Sequence, residues 1–595
     1  MVLFFLKGSA IFFALSIMCS VIVTLLDLFG PKIIQYTVDD IIKDVSEAGS
    51  LDTVPAIIKN IFDMLGTREY IRSNLYLIAI VVGVFALLTA VFRYLFRLFN
   101  SIAAERLIKR MRDTLFDHIL HLPFTWHSQN HTGDIIQRCT SDVDTVKNFI
   151  SEQLISLFRI VIQIIIAMYF MIGISGRLSI VSAAFIPILV IYSLFFHNRI
   201  STEFEKADSQ EGKLSATAQE NLTGVRVVRA FGREQYERER FEEQNEEYTR
   251  RWVNLMRILA AFWGSNDFLS QMQILSVTAL GAVLCVHDYL TVGEYIAFVT
   301  YNAMLSWPVR ALGRIISEMS KAGVAIDRIR YIMNSEIEQD KEGAKEPPIS
   351  QDITFDHVSY AYENGSAEVL KDVSFKIKKG TTVGILGGTG SGKSTLMYLL
   401  DRLYELPDDH GRILIGDTDI SDIRMSHIRR NVGFVLQEPF LFSKTLSENI
   451  SITRENSHMG DIKRAARIAA LDETIDSFTK GYETYVGERG VTLSGGQKQR
   501  TAIAQMLMTE PEVIIFDDSL SAVDTQTDAR IRAALSDSLA KETVILISHR
   551  ITTLMHADNI IVLEHGRIAE EGTHDELLDK NGIYKKIYDI QMQGT

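Results

Sequence analysis

The first 312 positions hold six stretches of nearly unbroken apolar residues, at about Ser9–Phe29, Leu75–Phe96, Leu154–Ile174, Leu178–Phe196, Phe262–Val286 and Leu290–Leu312. Each is close to the roughly 20 residues that cross a bilayer as a helix, so the pattern predicts six transmembrane helices. Between the second and third stretches, and between the fourth and fifth, it changes character. Ala103–Arg112 and Asp208–Phe241 place apolar residues three or four apart on a charged background, which predicts membrane helices that continue into the aqueous phase. After Met333 no comparable apolar run occurs, and a polar segment ending in Pro347-Pro348 reads as a linker. Beyond it, short apolar runs such as Thr382–Leu386, Val513–Phe516 and Thr543–Ile547 have the length of buried strands. The expected organisation is an all-α six-helix transmembrane domain over 1–333, a linker over 334–350 and an α/β domain over 351–595.

Charge supplies the orientation. Arg106, Lys109, Arg110 and Arg112 lie in segment 98–153, and Arg226, Arg229, Arg233, Arg250 and Arg251 in segment 197–258, whereas segment 30–74 is net acidic. The basic segments are therefore expected on the cytoplasmic side, together with the N-terminus and the C-terminal domain, in a multi-pass cell-membrane protein of bacterial plasma-membrane type. The apolar start, with Lys7 as its early cation and no small-residue cleavage site, reads as a first span rather than a secretory signal. A hydrophobic share of 47% beside 23% charged residues is the average of two unlike halves. The net charge of -13, with no basic stripe, gives no sign of a nucleic-acid partner. Three scattered cysteines, Cys19, Cys139 and Cys285, have neither metal-ligand spacing nor the even count of a disulfide framework.

The chemistry begins at Gly387-Gly388-Thr389-Gly390-Ser391-Gly392-Lys393-Ser394-Thr395, directly behind the expected strand Thr382–Leu386. Glycines at 387 and 392 let backbone N–H groups curl around phosphates, Lys393 meets their charge, and Ser394 is left to hold Mg²⁺. A helix starting near Ser394 adds its positive end to the same anion. This loop predicts nucleoside triphosphate binding.

A P-loop alone admits kinases, GTPases and helicases, and the surrounding motifs narrow the choice. Leu493-Ser494-Gly495-Gly496-Gln497 lies 24 residues before Asp517, which with Asp518 ends the run Val513–Phe516; Gln437 sits in Val435-Leu-Gln-Glu-Pro439, and Ser548-His549-Arg550 follows another apolar run. Residues 351–585 resemble the nucleotide-binding domain of ATP-binding cassette (ABC) proteins, and the N-terminal half extends the resemblance to ABC exporters. The resemblance implies ATP and Mg²⁺ as cofactors. It assigns the metal to Ser394, Gln437 and Asp517, and the attacking water and γ-phosphate to Asp518, Gln437 and His549. Ser494–Gln497 becomes the signature that closes a second ATP site, and Asp524 belongs to the loop through which two ATP sites communicate. Tyr362 takes the place of the aromatic that stacks on adenine, with Tyr360 as the competing candidate. The segments around Leu122–Arg138 and Glu220–Phe231 resemble exporter loops whose short coupling helices dock on the ATPase domain, and Tyr485–Gly490 resembles the loop that touches them.

One position departs from the family pattern. A glutamate usually follows the magnesium aspartate and polarises the attacking water; here Asp518 stands there, one methylene shorter. A misplacement of about 1 Å can cost about 10²-fold in rate, so slow hydrolysis is expected at this chain's own P-loop. With one P-loop and one signature the chain must pair, and Asp518 favours a second half-transporter carrying the glutamate over a homodimer. The expected function is export of amphipathic small molecules, drugs, lipids or peptides, by alternating access. The alternatives are uptake of metal–chelator complexes by the same architecture, or ATP sensing without cargo. The other expected partners are membrane lipids and the small-molecule cargo. Asp27, Arg93, Arg97, Arg159, Asn266, Asp267, Gln271 and Gln273 lie within the spans; they either line a cargo cavity or snorkel and pair structurally. The outer segment Asp39–Asn74, with Ile57, Ile58, Ile61, Phe62 and Leu65 at helical spacing, either caps an outer gate or is an extended loop.

Overall fold

The computed structural model describes residues 2–42, 55–362, 367–454, 456–519, 527, 530, 531, 533, 534 and 541–593. The chain divides into two compact units. Met1–Leu120 with His131–Ser335 form the first, and His121–Asn130 with Glu336–Thr595 form the second.

The first unit is built on long helices: α1 Ala10–Tyr36, α2 Tyr76–Leu120, α3 Ile155–Ile174, α4 Gly176–Thr223, α5 Glu234–Val286 and α6 Val292–Asn334. The helical stretches containing α1 to α5 are each long and apolar enough to cross a membrane. The expected span Leu290–Leu312 falls on α6, whose N-cap Thr291 closes a capping box with Glu294. The burial pattern is that of a lipid-facing bundle. On α1 the buried face carries Ser16, Cys19, Ser20, Val23 and Thr24, while Ile11 and Met18 are exposed. Small and hydroxylated residues let helices approach, and large apolar ones are left to the acyl chains. Pro31 lies inside α1 and Pro187 inside α4, where neighbouring helices can satisfy the freed carbonyls. α2 reaches 45 residues, about 68 Å at the helical rise, and beyond the membrane it buries Leu107, Met111 and Leu115 at four-residue spacing.

The polar residues of the spans separate into groups. Asp27, Arg93, Arg97 and Arg159 line one cavity of about 180 Å³ together with Gln163, Thr24, Phe96 and Met304. Gln273 is buried and donates to Asn302 Oδ1 at 3.0 Å, which also accepts from Ser182 Oγ at 2.6 Å. Asn266 is fully buried, Asp267 pairs with Arg310, and Gln271 is exposed. Asp27, Arg93, Arg97 and Arg159 thus line a cavity, and Arg93 also pairs with Asp27, while Asp267 and Gln273 are engaged with neighbouring helices.

The outer segment is no extended loop where it is described. Helices Ala56–Leu65 and Arg68–Ser73 pack Ile58, Phe62 and Ile71 against Ile33, Tyr36, Ile41 and Val81, and Arg68 pairs with Asp40 at 3.1 Å. Asp39 accepts from the Gly293 N–H at 2.9 Å and from the Thr291 hydroxyl, so it caps the N-terminus of α6. The stretch 43–54 lies outside the described residues.

The second unit carries two sheets. β1 Ile353–Tyr360, β2 Leu370–Ile377, β4 Arg412–Ile415 and β5 Thr418–Asp419 form an antiparallel sheet of order β2-β1-β4-β5. β3 Thr382–Gly387, β6 Val432–Val435, β7 Val513–Asp517, β8 Thr543–Ser548, β9 Asn559–Glu564 and β10 Arg567–Gly572 form a six-stranded sheet of order β10-β9-β3-β8-β7-β6. β3, β6, β7, β8 and β9 run parallel. β7 is buried at every position, as a strand covered on both faces must be. Helices α7 Lys393–Leu400, α8 Met425–Asn431 and α9 Gly495–Leu507 follow from the same chain.

A charged cluster beside α7 gives this unit a pH dependence. Asp401 is buried and its Oδ1 has no hydrogen-bond partner. Burial pushes its carboxyl up to about 7 from an ordinary value near 3.8, with Arg429 opposing and Glu338 adding to the rise. The folded state therefore holds this proton more tightly than the unfolded one, so this residue's contribution to stability falls as pH rises from about 4 to about 7 and is constant above. Asp401→Asn is expected to remove that loss, of which roughly 2 kcal/mol falls between pH 5.5 and 8, and to raise the melting temperature at pH 8 more than at pH 5.5. Equal shifts at the two pH values would show that Asp401 does not change its protonation state between them.

Candidate functional site

The motif residues converge because their strands are neighbours. In the parallel order β3, β8, β7, β6 each strand runs out into one motif: the glycine loop after β3, His549 after β8, Asp517 and Asp518 at the end of β7, and Gln437 after β6. The register keeps the ends level, with Leu386 opposite Ser548, Asp517 opposite Ile547 and Val435 opposite Phe516. Ligands of parallel α/β sheets bind at such carboxyl ends.

The loop needs its glycines. At Gly387 a Cβ would fall 2.6 Å from the Leu563 carbonyl oxygen and from Ser391 Oγ, and at Gly392, with φ of 98°, it would meet Leu370 Cδ2 at 2.6 Å. Gly392 caps α7 in the left-handed region, so the helix opens at Lys393 and Ser394. Gly388, Thr389, Gly390 and Ser391 complete the turn. Lys393 is buried and donates to the carbonyls of Gly387 at 2.9 Å and Gly388 at 2.8 Å. Burial lowers its ammonium pKa, while Asp517 and Asp518 work against the fall.

Asp517 is buried and is hydrogen-bonded by the Ser394 side chain. Burial raises its carboxyl pKa, and Ser394, Lys393 and His549 pull it back. A hydroxyl and a carboxylate brought together are hard oxygen donors suited to Mg²⁺, which keeps several positions for water and phosphate oxygens. Among the described residues no group of three or more His, Cys, Asp and Glu side chains gathers as a metal site of another kind. Gln437 is exposed, and its backbone carbonyl accepts from the buried Gln499 of α9 at 3.2 Å.

Asp518 has φ of 44° and donates its N–H to Ile547 O at 2.8 Å. Its Oδ1 accepts from Ser548 Oγ at 3.3 Å. His549 is half-buried, and Gln591 brackets it: Gln591 Nε2 donates to the His549 carbonyl at 2.8 Å and its Oε1 accepts from Ile551 N–H at 2.9 Å. No pattern in the sequence pointed to Gln591 or Gln499, because their partners lie 42 and 62 positions away.

Of the two aromatic candidates, Tyr360 is buried at 5% exposure, and Tyr362 is the more open. The Tyr362 hydroxyl shares a hydrogen bond with Thr395 Oγ1 at 2.9 Å. Ser494 and Gln497 close a capping box at the head of α9, with Gly495 and Gly496 in its first turn. Asp524 lies outside the described residues. Tyr485 donates to the Ser443 carbonyl at 2.7 Å. The short helix Phe124–Gln129 belongs to the second unit. There the His121 carbonyl accepts from Glu338 N–H at 2.8 Å, and Arg429 grips Glu338 through two bonds of 2.7 and 3.0 Å.

Residues 13–309 match the ABC transporter transmembrane region and residues 370–521 match the ABC transporter domain. The chain is 32% identical over 603 residues to the "Probable multidrug resistance ABC transporter ATP-binding/permease protein YheI" of Bacillus subtilis, covering 99% of this chain and 97% of that one. It is 32% identical over 505 residues to an ATP-dependent lipid A-core flippase of Aromatoleum aromaticum, covering 84% and 83%. A solved structure of a bacterial Atm1-family ABC exporter with ATP bound superposes with a TM-score of 0.81 over 98% of both chains at 24% identity, a likeness of fold.

Proposed function

This chain belongs to the ABC transporter family, with the exporter architecture of a membrane domain fused to a cytoplasmic ATPase domain, and from that premise we propose that it is one half of a two-chain exporter of amphipathic small molecules. The observation that carries the reading is the set of motifs at the ends of β3, β8, β7 and β6. Lys393 and the loop amides bind the triphosphate, and Tyr362 stacks on the base. Ser394 and Asp517, with Gln437, would hold Mg²⁺, which when bound neutralises charge on the β- and γ-phosphate oxygens. His549 donates toward the γ-phosphate, and Gln591 fixes its loop.

Pairing follows from what one chain leaves open. At the head of α9, Ser494 Oγ and Gln497 Oε1 accept each other's backbone N–H, which orients the Ser494 hydroxyl hydrogen and the Gln497 amide nitrogen as donors for the nucleotide of a second chain. At and beside the short helix Val225–Ala230, Leu222, Val227 and Phe231 are 76%, 60% and 76% exposed. They suit an apolar groove such as the one lined by Leu436, Phe440, Ala502 and Met506, presented by a partner. Asp518 favours a partner that brings the glutamate, so that one ATP site hydrolyses and the other mainly binds.

Cargo is read from the cavity in the first unit. Three guanidinium groups, Arg93, Arg97 and Arg159, face one carboxylate, Asp27, alongside Phe96, Leu28 and Met304. Arg93 pairs with Asp27 at 3.2 Å, leaving two positive charges in excess. An amphiphile with an anionic group fits this lining. The test is ATPase activity of the chain with its partner half in proteoliposomes. Anionic amphiphiles are expected to stimulate turnover more than neutral analogues of equal chain length, and Arg159→Gln with Arg97→Gln is expected to erase the difference. Turnover indifferent to every amphiphile would support ATP sensing without cargo.

A further inference from the structure

Six aromatic side chains form one cluster in the second unit: Phe124, Tyr360, Tyr362, Tyr398, Tyr404 and Phe434. Tyr404 is its hub and is only 8% exposed. Its ring lies 5.1 Å from Tyr362, 5.4 Å from Phe124, and 6.1 Å from both Tyr360 and Tyr398. The contacts to Tyr362 and Phe124 are edge-to-face, at 81° and 88°, the arrangement that the aromatic quadrupole favours. The two ends of the cluster are distinct. At one, Tyr362 is tied through Thr395 to the turn that follows Lys393 and Ser394. At the other, Phe124 lies four positions after Leu120, where α2 ends.

We propose that Tyr404 and Phe124 are positioning residues that carry the presence of a nucleobase from Tyr362 to the helix Phe124–Gln129, so that this segment responds to the base of the nucleotide as well as to its phosphates. The proposal rests on the reading of Tyr362 as the base-stacking ring. A base settling on one face of Tyr362 restricts a ring already in edge-to-face contact with Tyr404. Packed interiors have little free volume, so the ring between cannot absorb the change alone. The chain leading into Phe124 is anchored as well, because the His121 carbonyl three positions earlier is fixed by Glu338 and Glu338 by Arg429. The segment therefore has a fixed pivot and a movable contact. Coupling between sites is reciprocal: if the base reaches Phe124, then Phe124 alters affinity for the base.

That reciprocity supplies the test. Dissociation constants for ATP and for inorganic tripolyphosphate, which has no base, are measured on the full-length chain in nanodiscs for wild type, Phe124→Leu, Tyr404→Leu, Tyr404→Phe and the double leucine variant. Each leucine variant is expected to weaken ATP binding by about 5-fold or more and to leave tripolyphosphate binding unchanged. Tyr404→Phe, which keeps the ring, is expected to match wild type, and the double variant is expected to be no worse than the weaker single. Equal losses for ATP and tripolyphosphate would mean damage to the phosphate loop and would overturn the proposal. So would multiplicative effects in the double variant, or an unchanged ATP constant in Phe124→Leu. Tyr362→Ala separates the two layers. If it binds ATP as wild type does, the stacking reading itself fails; if it loses ATP while Phe124→Leu does not, only the relay fails.

Discussion

Asp518→Glu is expected to raise steady-state ATP hydrolysis by a homodimer of this chain by about 10- to 100-fold. The wild-type carboxylate is drawn toward the sheet, because Ser548 Oγ donates to its Oδ1 and the residue's N–H is tied to Ile547 O. Glutamate extends the carboxylate by one carbon–carbon bond, about 1.5 Å, far enough to leave Ser548 and reach a water in line with the γ-phosphate. The gain has a structural cost. Asp518 has φ of 44°, a region aspartate tolerates better than most side chains, so the glutamate variant is expected to lose about 1 kcal/mol of stability. Release of inorganic phosphate by wild type, Asp518→Glu and Asp518→Ala measures the effect. Wild type and the alanine variant are expected to be similarly slow. Brisk wild-type turnover abolished by Asp518→Ala would make Asp518 a working base and remove the argument for a partner that supplies glutamate.

How far the sequence could be read depended on the range of the contacts involved. The P-loop, Asp517 and the His549 turn were legible because each is a local pattern attached to a short apolar strand, and parallel pairing then brings the strand ends level. The long helices were legible from apolar length, but their ends were not. Pro31 and Gly212, residues that interrupt helices in water, lie inside α1 and α4. The Ile57–Leu65 spacing foretold a helix without saying what it packs on. The docking needs Ile33, Tyr36 and Val81 from both flanks of the segment, and no periodicity links them. Tyr404 stayed invisible for the same reason: as a lone tyrosine after α7 it carries no pattern, and its meaning comes from Phe124, 280 positions earlier. The Asp518 departure could be seen in the sequence, whereas the Ser548 hydrogen bond that restrains its carboxylate required coordinates.

Lys393→Met is expected to weaken nucleotide binding by at least about 100-fold while leaving the melting temperature of the nucleotide-free chain within a few degrees of wild type. The amine of Lys393 bonds the Gly387 and Gly388 carbonyls, so it spans the loop and holds it ready for phosphate. When a triphosphate enters, the same amine exchanges those carbonyls for phosphate oxygens, and each charge-assisted bond is worth about 1.5–3 kcal/mol. Methionine keeps much of the apolar stem and removes the charge, so the loop's packing survives and its anion loses its principal counter-charge. The acids at 517 and 518 sharpen the loss. With Lys393 present they face a cation; without it they face the phosphates directly and repel them. Lys393→Arg is expected to recover little, since the planar guanidinium is too broad for a turn drawn this closely around a point charge. Calorimetric titration of ATP into the three full-length proteins distinguishes these outcomes. A methionine variant that binds ATP within 3-fold of wild type would mean that the loop amides and the metal carry the triphosphate unaided, with the lysine reserved for the transfer step.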